Sequence, residues 1–218
     1  MSVARLQLPA HIYHLAEAAN WRSIQLHGLL STSALLDLTA LPKKERDRYE
    51  QHHRPDHTEL TGGIHIRDQK PMPAEALRRS LVDLTPAEWY RLLNGKVFFW
   101  LDPNRLNRQR GACAQRAQIV LIVDTAQLMS RHADQVSLCP INSGNARRKP
   151  AVRGKSTFVP YAEWVKSGWS SEARGLGTRG RAGSHSPVEL TVEGVIRDIM
   201  ECIIDVEQLG PGEPFRFR

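Results

Sequence analysis

Few residues in this sequence stand at a spacing that does chemistry by itself. Three cysteines, Cys113, Cys139 and Cys202, are far apart and odd in number. They offer neither a disulfide framework nor a CxxC metal knuckle, which points to a reducing, cytoplasmic compartment. The nine histidines show no HExxH and no paired zinc spacing, so no metal is expected. Gly175-Leu176-Gly177-Thr178-Arg179-Gly180 matches GxGxxG letter for letter. A Trp/Ser/Arg-rich segment precedes it and Arg-Ala-Gly-Ser-His-Ser-Pro follows. The strand before and helix after that a dinucleotide loop requires are therefore missing.

What remains are single titratable side chains in apolar segments. His14 lies in Ile12-Tyr13-His14-Leu15, Arg67 follows Ile64-His65-Ile66, and Glu189 lies in Val188–Val192. An imidazole can bond a sugar hydroxyl or a carboxamide. A guanidinium can hold a diphosphate bidentately, and Arg54 is a second candidate for that role. Each residue also has a purely structural reading. A strand histidine is often satisfied internally, Arg67 can pair with Asp68 or another acid, Arg54 can be a loop charge beside Pro55, and Glu189 can be an outward residue of an alternating strand. Glu193 is the nearest competing carboxylate.

The charge is local. Segment 147–181 holds nine basic residues (Arg147, Arg148, Lys149, Arg153, Lys155, Lys166, Arg174, Arg179 and Arg181) against Glu163 and Glu172, which accounts for the whole net charge of +7. Arginine forks suit phosphate, and a basic, Gly- and Ser-containing tract can follow a nucleic-acid backbone or simply be a solvated face. Trp164 and Trp169 lie within it and can stack a base or anchor the tract to the domain. A second basic group, Arg105, Arg108, Arg110 and Arg116, has no acid between its members.

These groups need elements to position them. The 218 residues are 41% hydrophobic and 24% charged, which excludes a disordered chain, a collagen or a coiled coil and fits one domain. No apolar run reaches the ~20 residues that cross a bilayer, and the N-terminus lacks a signal-peptide core, so no membrane association is expected. Residues 12–15 read as a strand and 16–27 as a helix ended by Gly28. Ser33 is placed to cap a helix through Leu38, and 43–51 reads as an exposed helix. Residues 52–63 read as loop, 64–67 as a strand and 74–81 as a helix. Thr85-Pro86-Ala87-Glu88 reads as a capping box with Pro at the first helical position. The strongest strands are 96–101 and 118–124, the second apolar enough to be central, with a helix between them. Further strands are expected at 135–139, 188–192 and 200–206. Residues 140–187 read as mostly loop, interrupted around Thr157–Val165, with a flexible basic part at about 166–187. Without steady βαβ alternation the class is α+β, a single domain over 1–218 of mixed, mostly antiparallel sheets flanked by helices.

The opening Ile12-Tyr13-His14-Leu15, Asn20-Trp21, Ile24 and Gly28-Leu29-Leu30-Ser31 resembles the first strand–helix–strand unit of ADP-ribosyltransferase domains, more narrowly of DarT-type nucleic-acid ADP-ribosyltransferases. Val97-Phe98-Phe99-Trp100 is similar to the aromatic central strand of that group, Asn142-Ser143-Gly144-Asn145-Ala146 to its Asp-Gly-Asn-Ala segment, and Pro187–Val192 to its late strand bearing a glutamate. The chain also resembles a bacterial uncharacterised-domain family with the segments seen at 66–69, 97–100 and 142–144.

The resemblance implies an NAD-dependent transferase that moves ADP-ribose to DNA or RNA, with a nucleobase the favoured acceptor and nicotinamide released. Cleavage of that glycosidic bond builds positive charge on the ribose, which a single carboxylate can steady. The roles implied are Glu189 and Arg67 as catalytic residues and Tyr13, His14, Gly28, Leu30, Arg54 and Trp100 as NAD-binding, with Trp100 stacking on nicotinamide. Nucleic acid is expected on Arg147, Arg148, Arg153, Lys155, Trp169, Arg174, Arg179 and Arg181. A monomer is expected, with an antitoxin or hydrolase as a further partner. A protein or small-molecule acceptor, or a non-catalytic nucleic-acid-binding module, are the alternatives.

Overall fold

The first strand, β1 (His11–Glu17), runs two residues past Leu15, because Ala16 and Glu17 still pair with Ile119 and Gln118. The helix expected from residue 16 therefore starts late, as a 3-10 turn over Ala18–Asn20 and then α1 (Trp21–His27). The structure is a computed structural model and describes residues 7–70, 72–147 and 149–217. Gly28 closes α1 at φ 83°, and a Cβ there would collide with the Ile196 carbonyl and the Arg197 backbone, so both its conformation and its neighbours require glycine. β2 (Leu29–Leu30) follows, then α2 (Thr32–Asp37), capped by Ser31, whose Oγ accepts from the Ala34 N–H. The cap is thus two residues before the expected Ser33.

Next come α3 (Lys43–Gln51), β3 (Thr58–Leu60) and β4 (Ile64–Ile66). β3 lies in a stretch read as loop; Gly62 and Gly63, both at positive φ, fold it back onto β4. α4 (Ala74–Ser80) and α5 (Pro86–Asn94) follow, the latter with the capping box read from Thr85 and Glu88. β5 (Lys96–Trp100), α6 (Pro103–Ala112), β6 (Gln118–Asp124), α7 (Thr125–His132) and β7 (Val136–Cys139) continue the chain.

The tract 140–187 is more regular than its composition implies. It holds β8 (Val159–Pro160), α8 (Tyr161–Ser167) and α9 (Ser170–Leu176). The first part of the expected flexible loop is helical because Trp169, Ala173 and Leu176 share a buried side at helical spacing. Gly175 and Gly177 end that helix rather than precede one, so no phosphate-binding turn forms there. β9 (Glu189–Glu193), β10 (Val195–Ile196), α10 (Ile199–Cys202) and β11 (Ile203–Leu209) complete the fold.

Seven strands form one sheet in the order β11-β6-β1-β5-β9-β7-β8, with small β2–β10 and β3–β4 pairs beside it. Every strand–strand ladder is antiparallel, and helices flank the sheet, which is the α+β class. β6 lies one place in from the edge rather than at the centre. The main core joins Ile12, Phe99, Leu121, Leu138, Leu190 and Val192 with Trp164 and with Trp169, the latter from the part expected to be flexible.

Candidate functional site

β1 and β5 pair at one position, Tyr13↔Trp100, whereas β1 and β6 pair along their whole length. A cleft of about 640 Å³ lies along this fork. His14 sits where the strands part. Its Nδ1 is 2.8 Å from the Phe98 carbonyl, which can only accept, so Nδ1 carries the proton. Burial holds its pKa at about 4, far below 6.5, and the ring is neutral at pH 7 with Nε2 free to accept. The period of two along the strand then sends Tyr13 to the opposite face. There its ring packs 5.6 Å from that of Phe215, and Tyr13 is absent from the cleft lining, which corrects its expected place in a cofactor site.

Glu189 opens β9 opposite Trp100 and Cys139. It is 4% exposed and lines the same cleft, so the outward-facing reading of this residue does not hold. Ser143 Oγ donates to Oε2 at 2.7 Å, and the Ser143 N–H lies 3.2 and 3.3 Å from the two carboxyl oxygens. Burial outweighs these bonds and pushes the Glu189 pKa up to about 7. Glu193, at the far end of the strand, is 59% exposed in its side chain and pairs with Lys96, so the competing carboxylate is elsewhere.

The other wall is cationic. Arg67 Nε lies 3.1 Å from Glu17 Oε1 without hydrogen-bond alignment, and both terminal nitrogens are buried without a partner. Ser23 Oγ, also on the cleft, is buried and unpartnered as well. Glu17 is already held by Arg116 at 3.0 and 3.1 Å and by Gln118 at 3.1 Å. Arg67 therefore pairs with Glu17, while Asp68 faces Arg116 at 3.6 Å. Arg105 and Arg108 of α6 reach the same cleft. A buried guanidinium whose N–H donors lack hydrogen-bond partners is costly unless an anion completes it.

The model of the family described as "Family of unknown function (DUF7002)" matches residues 10–203. The chain belongs to the DUF7002 family. No curated protein matches it. Among solved structures, the chain is similar to Thermosipho africanus DarTG in complex with ADP-ribose, at 11% identity and a TM-score of 0.45, over 93% of this chain and 44% of that one. It thus spans less than half the length of that protein.

In this DUF7002 chain the cleft gathers His14, Gly28, Leu30, Arg54, Arg67, Trp100 and Glu189 from segments far apart in sequence. Arg54 touches it but is 7% exposed, and its guanidinium makes four bonds to the protein, to the Arg67 and Tyr49 carbonyls and twice to Asn94 Oδ1. Burial brings its pKa down to about 10, which leaves it charged. Its guanidinium thus ties α3 and the Arg67 backbone together. Trp100 donates to Gln109 Oε1 at 2.7 Å and is partly buried against Tyr13's cluster.

The expected nucleic-acid residues divide. Arg153 is 1% exposed and Trp169 5% exposed, so neither is a surface contact. Trp169 packs edge-on to Trp164 and donates to the His185 carbonyl. Arg181 forks onto Glu172, itself 1% exposed. In all three the demand of the core for anchors and counter-charges overrides the surface reading. Arg147, Lys155, Arg174 and Arg179 are exposed, and Arg148 lies outside the described residues. Glu17, hidden at the end of an apolar strand, is a site residue the sequence reading does not name, and Ser143 enters that reading only within the Asn142–Ala146 segment, without a role of its own. Among the described residues no group of three or more His, Cys, Asp or Glu side chains is arranged to hold a metal, and no helix is long and apolar enough to cross a membrane.

Proposed function

We propose that this protein is an NAD-dependent ADP-ribosyltransferase acting on nucleic acid, with a nucleobase as acceptor. The observation that carries the reading is the convergence of Glu189, neutral His14 and the unsatisfied guanidinium of Arg67 on one cleft from three separate segments. The chemistry fits each group. The terminal nitrogens of Arg67, with Ser23 Oγ, take the diphosphate. His14 Nε2 accepts from a ribose hydroxyl or the carboxamide NH₂. The Glu189 carboxylate lies by the nicotinamide ribose and stabilises positive charge at C1′ as the C1′–N bond breaks. Nicotinamide leaves with the bonding electrons. A base nitrogen of the acceptor then attacks C1′, and its proton passes to Glu189, whose pKa near 7 suits that exchange. The exposed cations Arg147, Lys155, Arg174 and Arg179 supply the backbone contacts expected of a nucleic-acid acceptor. A product of this kind is a natural substrate for a partner hydrolase or the target of an antitoxin.

Incubation with adenylate-labelled NAD and separate DNA and RNA pools tests the reading. Nicotinamide release with label on one pool supports it. Label on protein or a small molecule instead overturns the acceptor. No nicotinamide release and no NAD-induced rise in Tm overturn the enzyme.

A further inference from the structure

Behind the Ser143 turn lies a buried cation that the reaction above does not use. Arg153 is 1% exposed, yet among the described residues no carboxylate lies within ion-pair distance of it. Its donors go to carbonyls alone: Nε to Ala151 at 3.1 Å, and the terminal nitrogens to Ser143 at 3.0 Å and Asn145 at 2.9 Å. The Trp89 ring lies 5.7 Å from the guanidinium carbon. The backbone is pinned too, with Arg153 N donating to the Ser80 carbonyl at 2.8 Å and Val82 N donating to the Arg153 carbonyl at 3.1 Å. A buried guanidinium without a counter-ion is a poor way to fill space, since an apolar side chain there would carry no desolvation penalty. What the arginine adds is a fixed fork and a charge, and both act on the turn that touches Glu189.

We infer that Arg153 is a positioning residue of this site: its fork clamps the Ser143 and Asn145 carbonyls, so that the Ser143 N–H and Oγ stay aimed at Glu189. The inference rests on the proposed role of Glu189. The turn is irregular backbone between Pro140 and Lys155; Asn145 Oδ1 accepts from the Arg147 N–H and His185 lies against the Pro140 carbonyl, while Arg153 bonds the Ser143 and Asn145 carbonyls on either side of Gly144. Its charge also favours the ionised carboxyl against the burial that opposes it. The other groups facing that carboxyl are Ser143 and the Cys139 thiol, with His14 and Arg67 on the same cleft.

Four variants decide the matter: Arg153→Met, Arg153→Lys, Ser143→Ala and the combination of Arg153→Lys with Ser143→Ala. Each is read by nicotinamide release and by a ¹³C NMR titration of the Glu189 carboxyl. Arg153→Met is expected to lower kcat on the order of 10- to 100-fold with little change in KM for NAD, as misplacing a reacting group does, and to move the Glu189 midpoint to higher pH. Arg153→Lys keeps the charge, so its midpoint stays near that of the wild type and kcat is partly restored. The double variant loses less than the product of the two single losses, because both act through one contact. An unchanged midpoint in folded Arg153→Met, or multiplicative losses in the double variant, overturns the inference. Should Arg153→Met fail to fold, the Lys and Ala cycle gives the answer alone. Should the wild type release no nicotinamide, the proposed function falls, while the carboxyl titration still decides whether Arg153 governs Glu189.

Discussion

The imidazole Nδ1 of His14 lies 2.8 Å from the carbonyl oxygen of Phe98, a side chain bridging β1 and β5 next to their one paired position. That bond turns the ring so that one nitrogen is committed to the scaffold and the other is left for a ligand. Burial makes the protonated ring hard to accommodate and outweighs this bond, which by itself favours protonation.

His14 therefore contributes a defined pH dependence to folding. Its folded pKa of about 4 lies below the unfolded 6.5, so the unfolded chain takes up the proton first. Stability from this group is intact above pH 6.5 and is lost as pH falls towards 4. Thermal melts across that window should show a shallower loss for His14→Gln than for the wild type. Equal slopes would remove His14 as the cause.

Glu189 behaves in the opposite sense. Its folded pKa of about 7 lies above the ordinary 4.5, so its neutral form is favoured in the fold and its contribution to stability is lost as pH rises from 4.5 to 7. If Glu189 acts as the proposed carboxylate, transfer should rise with pH through a midpoint near 7. Glu189→Gln should lose transfer by roughly 10²- to 10⁴-fold while melting at or above the wild-type Tm at pH 8. A fully active Glu189→Gln protein would take this residue out of the reaction.

Arg67 is expected to set NAD affinity. A charge-assisted hydrogen bond contributes about 1.5–3 kcal/mol, so Arg67→Gln should weaken NAD binding on the order of 10- to 100-fold. Saturating NAD should raise the wild-type Tm markedly and that of Arg67→Gln far less at the same concentration. An identical shift in both proteins would place the diphosphate elsewhere.

The basic tract should separate by burial. Arg174→Ala and Arg179→Ala are expected to leave Tm unchanged and each to reduce the salt dependence of nucleic-acid binding by up to about one unit in the log–log slope. Trp169→Ala, which empties a core position, should instead cost about 3–5 kcal/mol of stability. Denaturant melts and binding titrations at two salt concentrations distinguish the two classes.

Elements were legible where one local signal dominated. The apolar runs at 96–101 and 118–124 and the Thr85 capping box are such cases, because composition and cap chemistry act within a few residues. α9 was not, since its serines and glycines read as loop while the buried set Trp169, Ala173 and Leu176 carries the helix. Which of Tyr13 and His14 faces the cleft depends on where β1 and β5 part, a property of two strands more than eighty residues apart. Glu189, Arg67 and His14 could be nominated from their apolar settings, and the structure brings them to one cleft. Arg153 could not be told from its surface neighbours, because only the folded turn shows that carbonyls surround it.

The DUF7002 match stops at Ile203, the first residue of β11. That strand pairs along β6 from Val123 to Gln118, and the tail beyond it is held by Asn107 and Arg110, both on the helix that carries Arg105 and Arg108. A chain trimmed to the family boundary would leave β6, with Ile119, Val120, Leu121 and Val123, as a bare apolar rim. Such a shortened protein is expected to self-associate through that rim and to lose the footing of its cleft arginines, which would make the folding unit longer than the segment the family model matches.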